Sequence, residues 1–260
     1  VRKGQIIAVA DGILGTATHA PTSGVIREIT FAPMTHPSGL NTRCAIIEAD
    51  GDDTPIEQAP FDWRTQPRAA ALDFLRDNGL VGLGGATFPS HIKLGNGSGI
   101  DTLIINGAEC EPWITCDDRL MQERADGVLA GARILFDLIG AKRVLVGIED
   151  NKPAAIAAMQ AAASRLDLPA EIVAVPTRYP AGGEKQLIRV LTGIEIPQGQ
   201  LGGDFGVQCF NVGTAYAVHR AMEFGEPLVS RIVTLTGNVA TPGNFEVRVG
   251  TPIEALLPLA

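Results

Sequence analysis

The residues with the clearest chemical potential lie in two segments near the middle of the chain, Gly82–Pro89 and Asn106–Pro112. The second segment follows an apolar run, Thr102–Ile105, which has the pattern of a buried strand. It contains an asparagine, a glycine and two carboxylates, and polar groups at the carboxyl end of a strand lie where α/β proteins bind ligands. The glycines of the first segment allow backbone N–H groups to approach a phosphate closely. Together the two segments predict a site for a planar cofactor that carries a phosphate.

Two further segments have the same character. Tyr179–Lys185 contains two adjacent glycines and precedes a predicted helix, so its amide groups could meet an anion. Cys209–Thr214 is a third polar strand end. None of these segments matches the phosphate loop of nucleotide hydrolases or the dinucleotide fingerprint, which has glycine where Thr87 stands. If the sheet is parallel, all three strand ends meet at one edge, and this convergence is a stronger indication than any single loop.

Several side chains near these loops could contact a cofactor, although each has an ordinary explanation as well. Lys93 could neutralise a phosphate or be a solvated surface residue, and Phe88 could stack on a base. Glu109 is the hardest to explain as a solvated residue, whereas Asp117 and Asp118 could favour the start of a helix. Paired carboxylates could also bind a metal or transfer protons. None of the four histidines lies at a ligand-like spacing from these acids, so no metal site is predicted.

The composition restricts the class of protein. The 260 residues carry a net charge of −8 without a cluster of lysine or arginine, which disfavours nucleic acid as a partner. No apolar stretch reaches the roughly 18–20 residues needed to cross a bilayer, so no membrane insertion is predicted. The four cysteines form no C-x-x-C pair and fit a reducing compartment rather than a disulfide framework.

The pattern along the chain predicts three sections: a small β module over residues 1–60, an α/β section with a parallel or mixed sheet over 61–228, and a small β-rich section over 229–260. Gly95–Gly99 is predicted to be a loop. The predicted strands are Gln5–Ala10, Val25–Phe31, Asn41–Glu48, Thr102–Ile105, Arg143–Ile148, Glu171–Val175, Ile232–Gly237 and Phe245–Val249. The predicted helices are Pro67–Asn78, Pro89–Lys93, Asp117–Ile139, Pro153–Arg165, Lys185–Leu191, Thr214–Glu223 and Ile253–Leu257.

The order and spacing of these segments resemble a known family. They look like the flavin-binding subunit of respiratory complex I, and the match is closer to its relative, the RnfC (RsxC) subunit of the Rnf ion-translocating electron-transport complex. The resemblance is almost word for word in Ile100–Pro112, Gly147–Pro153 and Asn211–Arg220, and it covers essentially the whole chain. It implies a Rossmann-like core between a barrel-sandwich β module and a β-grasp segment of the soluble-ligand-binding (SLBB) type.

The resemblance also implies a function, in which the protein binds FMN and transfers hydride to it from NADH, with the cofactor performing the chemistry. It assigns residues to the flavin pocket, namely Gly82, Gly84, Gly85, Lys93, Asn106, Glu109, Asn211 and Thr214. It assigns others to the nicotinamide nucleotide, namely Phe88, Glu184 and Lys185. An acid such as Glu184 beside a ribose favours NADH over NADPH.

The same resemblance implies an assembly. The other subunits of the complex would be the partners, and the protein would lie peripherally on the cytoplasmic side of the bacterial inner membrane. Two [4Fe–4S] clusters are expected in the full-length protein only, because the C-x-x-C-x-x-C-x-x-x-C-P run is absent here. The start at Val1, without methionine, leads us to expect a fragment that lacks the C-terminal ferredoxin-like region.

The sequence departs from the complex I pattern at two positions, because Ala108 stands in place of an acid and Thr87 in place of a glycine. These departures motivate one alternative, a non-catalytic scaffold or binding subunit of the same complex that has lost flavin. A second alternative, a small-molecule receptor that uses the β-grasp segment, rests on analogy of fold alone.

Overall fold

The computed structural model describes the chain except for residues 35–37 and 96–98. The regular elements of the first section are all β-strands: β1 (Ile6–Ala8), β2 (Thr18–His19), β3 (Gly24–Pro33) and β4 (Asn41–Ala49). They form two antiparallel pairs, β1 with β2 and β3 with β4. The strand predicted over Gln5–Ala10 is shorter than expected, and the short β2 was not predicted. The predicted loop Gly95–Gly99 falls largely on residues 96–98, outside the described residues.

The middle section is a four-stranded sheet with helices on both faces. Its elements are α1 (Arg68–Asp77), α2 (Ser90–Gly95), β5 (Thr102–Gly107), α3 (Cys116–Ile139), β6 (Arg143–Glu149), α4 (Pro153–Ala163), β7 (Ala170–Val175), α5 (Glu184–Thr192), β8 (Val207–Asn211) and α6 (Val212–Phe224). A 3₁₀ turn, Gly202–Phe205, precedes β8. The sheet has the order β7-β6-β5-β8 and every pairing is parallel, which confirms the predicted α/β class.

Burial explains why the strands of this sheet read as continuous apolar runs. Leu103 and Ile105 point into a large core with α1, α3, α4 and α6. Ile104 points to the opposite face, where it packs with Leu187 and Ile188 of α5. Because both faces are covered, the strands have no solvent side that would impose alternation of polar residues.

The strand order turns back on itself at β5, because β6 and β7 lie on one side of it and β8 lies on the other. In an open parallel sheet, the carboxyl ends of the strands beside such a reversal form a crevice that binds ligands. Asn106 of β5 and Asn211 of β8 are partners in register at this edge. The fold therefore brings together two of the polar strand ends that the sequence singled out.

Helices α3 and α6 both start at this edge and pack closely along their lengths. A Cβ atom at Gly131 of α3 would overlap the carbonyl oxygen of Ala215 in α6, and one at Gly127 would lie 2.8 Å from the Tyr216 ring. These two glycines, about one helical turn apart, permit the close contact. Helix α3 is also kinked, since Arg124 has non-helical dihedral angles of φ −135° and ψ 34°.

The last section is an antiparallel hairpin of β9 (Ser230–Leu235) and β10 (Gly243–Arg248). The helix predicted over Ile253–Leu257 is wrong, because the structure has two 3₁₀ turns there, Ile253–Ala255 and Leu257–Leu259. Pro252 and Pro258 flank this short run, and proline cannot continue a helix through its interior. In the part of the chain that the structure describes, no helix is long and apolar enough to cross a membrane.

Candidate functional site

Asn106 lies at the end of β5, at the centre of the candidate site, and uses both ends of its amide group. Its Oδ1 accepts a hydrogen bond from the Ala108 N–H at 3.0 Å, and its Nδ2 donates to the Gly182 carbonyl at 2.8 Å. The side chain therefore fixes the backbone that follows β5 and ties it to the second glycine loop, Tyr179–Lys185.

Asn211, its partner in register at the end of β8, has the equivalent role for α6. Its Oδ1 accepts from Gly213 N at 2.8 Å and from Thr214 N at 3.3 Å, so Asn211 caps the helix. Its Nδ2 donates to the Asp117 Oδ2 at 2.6 Å. The two asparagines thus hold the ends of the two neighbouring strands in place.

The glycine-rich loop Gly82–Pro89 lies against the start of α6. The Leu83 N–H donates to the Thr214 Oγ1 at 2.9 Å, and a Cβ atom at Gly84 would lie 3.2 Å from the Cβ of Asn211. Thr214 is buried and contacts the loop directly. The loop and the end of β8, which are far apart in the sequence, are therefore neighbours in the structure.

Two residues of the loop have backbone angles that favour glycine. Gly85 has φ +109°, and no atom lies within 4 Å of where its Cβ would be, so its backbone borders open space. Thr87 has φ +52°, which is a strained value for a β-branched residue. The position where the complex I pattern has glycine is thus one whose conformation favours glycine.

An ion pair joins the second glycine loop to the first. The Lys93 Nζ, from α2, lies 2.8 Å from the Glu184 Oε2 at the start of α5, and also 5.3 Å from the centre of the Phe210 ring. The adjacent Lys185 faces away, because its Nζ donates to the Pro197 carbonyl at 2.7 Å. The structure therefore brings Lys93 and Glu184 together and separates Lys185 from them.

Phe88 lies at the rim of the glycine-rich loop. Its side chain is 43% exposed, which is unusual for a large aromatic residue. The structure thus leaves an aromatic ring accessible beside the loop, as its proposed contact with a nucleotide requires.

Glu109 is buried, and its carboxylate caps α3. Its Oε1 accepts from Asp117 N at 2.9 Å and from the Cys116 Sγ at 3.3 Å, and its Oε2 accepts from Asp118 N at 3.2 Å. The suggestion that Asp117 caps this helix is wrong, because the neighbouring turn brings Glu109 onto the free N–H groups instead. A carboxylate at this end also interacts favourably with the helix dipole.

The enclosed carboxylates raise the pKa of their neighbours. Burial, followed by the charge of Glu109, raises the pKa of Asp117 to about 7, while the hydrogen bond from Asn211 acts in the opposite direction. Burial, together with Asp117 and Glu109, raises the pKa of the Cys116 thiol to about 12. One ligand atom each from Glu109, Cys116 and Asp117 lies within 4.8 Å of the others. Since both Glu109 oxygens already accept backbone N–H groups, the arrangement is that of a helix cap.

A buried ion pair at the end of β6 was not among the sequence predictions. The Lys152 Nζ donates to the Glu149 Oε2 at 2.7 Å and to the Glu109 carbonyl at 3.3 Å, and both side chains of the pair are at least nine-tenths buried. The Glu149 Oε1 is buried without a hydrogen-bond partner among the described residues. An acid and a lysine three residues apart after an apolar strand were the available signal, but such a pair usually lies on the surface.

The geometry defines a class of protein, and comparison with known families agrees. Residues 75–220 match the model described as the Nuo51 FMN-binding domain, and the chain belongs to this family. Residues 1–52 match the RnfC barrel sandwich hybrid domain, and residues 232–260 match the SLBB domain. The predicted barrel-sandwich and β-grasp sections are therefore confirmed.

The curated relatives are more specific. A protein of Yersinia pestis bv. Antiqua, named as the C-type subunit of an ion-translocating oxidoreductase complex, is 51% identical over the whole chain. A protein of the same name from Pseudomonas aeruginosa is 49% identical over the whole chain. These relatives confirm the resemblance to RnfC. The chain spans only 42% and 34% of their respective lengths.

A solved structure shares the fold of the central sheet. The crystal structure of an NAD⁺-reducing [NiFe]-hydrogenase in the air-oxidised state matches with a TM-score of 0.62 and 26% sequence identity. The match covers 74% of this chain and 38% of the hydrogenase chain. This chain is thus part of an oxidoreductase subunit with an FMN-binding fold.

Proposed function

We propose that the chain is the electron-entry part of a membrane-bound electron-transport complex, which binds FMN and receives hydride from NADH. The observation that carries the proposal is the paired Asn106 and Asn211 at the β5–β8 edge, enclosed by the Gly82–Pro89 loop and the Lys93–Glu184 ion pair. An open parallel sheet binds its ligands at such an edge. The NAD⁺-reducing hydrogenase of similar fold supports the nicotinamide part of the proposal.

The residues present fit the phosphate of a flavin mononucleotide. The open backbone at Gly85 leaves room for an anion, and Lys93 supplies a positive charge near the loop. The side chains of Lys93 and Glu184 are 27% and 42% exposed, and a partly exposed ion pair contributes about 0–1 kcal/mol. A phosphate can therefore replace Glu184 as the partner of Lys93 at little cost.

When bound, FMN supplies the ring that accepts hydride. The protein contributes orientation, because the hydrogen bonds of Asn106 and Asn211 hold the strand ends rigid around the ring and ribityl chain. Glu109 acts through its cap of α3, which keeps the start of that helix next to the same edge.

The nicotinamide nucleotide has its own candidate residues. Glu184, released from Lys93, accepts hydrogen bonds from a ribose, which favours NADH over NADPH. Phe88 at the rim offers an aromatic face to the nucleotide. Lys185 contributes only if its contact with the Pro197 carbonyl is exchanged for a phosphate.

The wider setting belongs to the same proposal. Electrons leave the flavin for [4Fe–4S] clusters outside this chain, and the partners are other subunits of the complex. The site of action is the cytoplasmic side of the bacterial inner membrane, where the protein lies peripherally. The shared name of the curated relatives, which places them in an ion-translocating oxidoreductase complex, supports this setting.

A non-catalytic scaffold that has lost flavin is the alternative, and one observation favours it. Thr87 retains the strained φ of +52° without the glycine that would relieve it, and Ala108 offers no acid to the site. A loop that no longer binds a cofactor would tolerate such a residue. The two proposals differ in whether the chain binds flavin at all.

An FMN titration followed by anaerobic addition of NADH tests the proposal. We expect saturable binding and bleaching of the flavin absorbance on NADH addition. Lys93→Ala should raise the FMN Kd about 10–100-fold, since a hydrogen bond to a charged group contributes about 1.5–3 kcal/mol. Lys142→Ala is the matched control, because Lys142 is a surface lysine paired with Asp101.

The outcomes separate the alternatives. Absence of flavin binding by the folded chain would support the scaffold. Binding without bleaching would retain the flavin site and refute NADH as the donor. An equal Kd for the Lys93 and Lys142 variants would remove Lys93 from the phosphate site.

A further inference from the structure

A cavity lies where the three sections of the chain meet. Its volume is about 520 Å³, and its wall includes Lys3 and Asp53 of the first section, Leu120 and Tyr216 of α3 and α6, and Ile232 of β9. Ligand cavities have volumes of roughly 300–1,000 Å³ and occur preferentially between domains. None of the residues assigned above to FMN or NADH lines this cavity.

The cavity has an apolar body and a cation outside any ion pair. Leu83, Leu120 and Leu228 supply the apolar surface. Among the residues that the structure describes, Arg231 belongs to no ion pair, and its guanidinium donates to the Leu83 carbonyl at a long 3.5 Å. A guanidinium on an apolar wall without a directly bonded carboxylate can bind an anionic group.

Four of the other charges on the wall are already paired. Arg220 forms a bidentate pair with Glu226, and Lys3 lies 3.0 Å from Asp53. Their charges therefore cancel locally and leave Arg231 as a cation available to a ligand.

Asp117 is the acid of the wall that acts on Arg231 without forming an ion pair with it. The charge of Arg231 lowers the pKa of Asp117, but burial and Glu109 outweigh it and raise that pKa to about 7. Asp117 is therefore partly protonated near neutrality, and its charge opposes an incoming anion only weakly.

The backbone of the wall supports a binding role independently. The kink of α3 occurs at Arg124, and its guanidinium lies on the cavity wall between the Tyr216 hydroxyl at 2.6 Å and Glu246 at 3.4 Å. Non-helical dihedrals inside a long helix are unfavourable and cluster at functional sites. The kink places a second guanidinium, whose carboxylate contact is long, on the same cavity.

We propose that this cavity binds a small organic anion with a flat apolar body. The anionic group contacts Arg231, and the body lies between Leu120, Leu228 and the Tyr216 ring. The size of the cavity, its apolar wall and its cation together define this class of ligand.

The cavity adjoins the residues that support the proposed flavin loop. Asp117 of the wall accepts a hydrogen bond from Asn211, and the Leu83 N–H is bonded to Thr214. An occupant therefore contacts side chains one hydrogen bond away from the flavin site, while its own binding does not depend on flavin.

The test uses 8-anilinonaphthalene-1-sulfonate, an aromatic sulfonate whose fluorescence rises in apolar sites, with the flavin-free chain. We expect one saturable site, a Kd raised at least about tenfold by Arg231→Met, and recovery to within about threefold in Arg231→Lys. Phe31→Ser is the control, because Phe31 is 71% exposed on β3, does not line the cavity and could bind the dye adventitiously. It should leave the Kd unchanged.

Three results would overturn the proposal. The first is an equal Kd for Arg231→Met and the unaltered chain, both shown to be folded by circular dichroism. The second is loss of dye binding in Phe31→Ser. The third is displacement of the dye by FMN in equilibrium dialysis, which would place the dye in the flavin pocket. If Arg231→Met does not fold, Leu228→Trp, which narrows the same cavity, replaces it with the same expected loss of binding.

Discussion

Replacing Asp117 by asparagine should change how the stability of the protein depends on pH. The carboxyl group is enclosed beside Glu109 and accepts a hydrogen bond from Asn211, and its pKa rises from the ordinary 3.8 to about 7. The folded protein therefore holds this proton more tightly than the unfolded chain does. The contribution of the group to stability is greatest while it is protonated in both states, and it declines as the pH rises from about 4 through 7.

The size of the effect follows from the two pKa values. Each pH unit between them corresponds to about 1.36 kcal/mol, so ionisation of a fully enclosed group would cost about 4 kcal/mol above pH 7. Asp117 retains some exposed surface, and solvent screening reduces the expected cost to about 2–4 kcal/mol. Asparagine keeps an oxygen that accepts from Asn211 but never ionises, so Asp117→Asn removes this cost.

Urea unfolding of both proteins at pH 4 and pH 8.5 measures the effect. The free energies of unfolding should differ by less than about 1 kcal/mol at pH 4, whereas the variant should be about 2–4 kcal/mol more stable at pH 8.5. Asp126→Asn is the control, because Asp126 is 69% exposed on the same helix. If the difference between Asp117→Asn and the unaltered chain is the same at both pH values, the burial argument is refuted.

Two further substitutions test the packing around the site. Gly131→Ala should lower the free energy of unfolding by about 1–3 kcal/mol or more in urea unfolding, because its Cβ would overlap the Ala215 carbonyl oxygen; an unchanged midpoint would contradict the close helix contact. Lys152→Met should cost about 3–5 kcal/mol by leaving Glu149 buried and unpaired, and Glu149→Leu added to it should restore most of the loss. A double variant no more stable than Lys152→Met would show that the loss comes from packing rather than charge.

The sequence predicted the elements of the site better than their contacts. The apolar run of β5 and its polar end were visible because a strand buried on both faces has no polar alternation. The parallel sheet then follows from strands that alternate with helices, and so does the meeting of Asn106 with Asn211. These predictions rest on local patterns, which a single sequence displays directly.

Contacts between distant segments could not be predicted in the same way. Lys152 appears in the sequence as an ordinary surface lysine, and only the turn after β5 supplies the buried carbonyl of Glu109 that it contacts. Glu109 caps a helix that starts seven residues later, after a turn whose path depends on tertiary packing. The cavity beside Arg231 has walls from both ends of the chain, so no single stretch of sequence reveals it.

The close contact of α3 with α6 has a consequence for how the protein opens. Gly127 and Gly131 leave no space between the two helices, so neither helix can separate from the sheet without disturbing the other. Cooperative units of this kind exchange their amide hydrogens together, with one free energy of opening. Slow and matched exchange along both helices is therefore expected, and the two caps, Glu109 and Asn211, would be lost and regained in the same event.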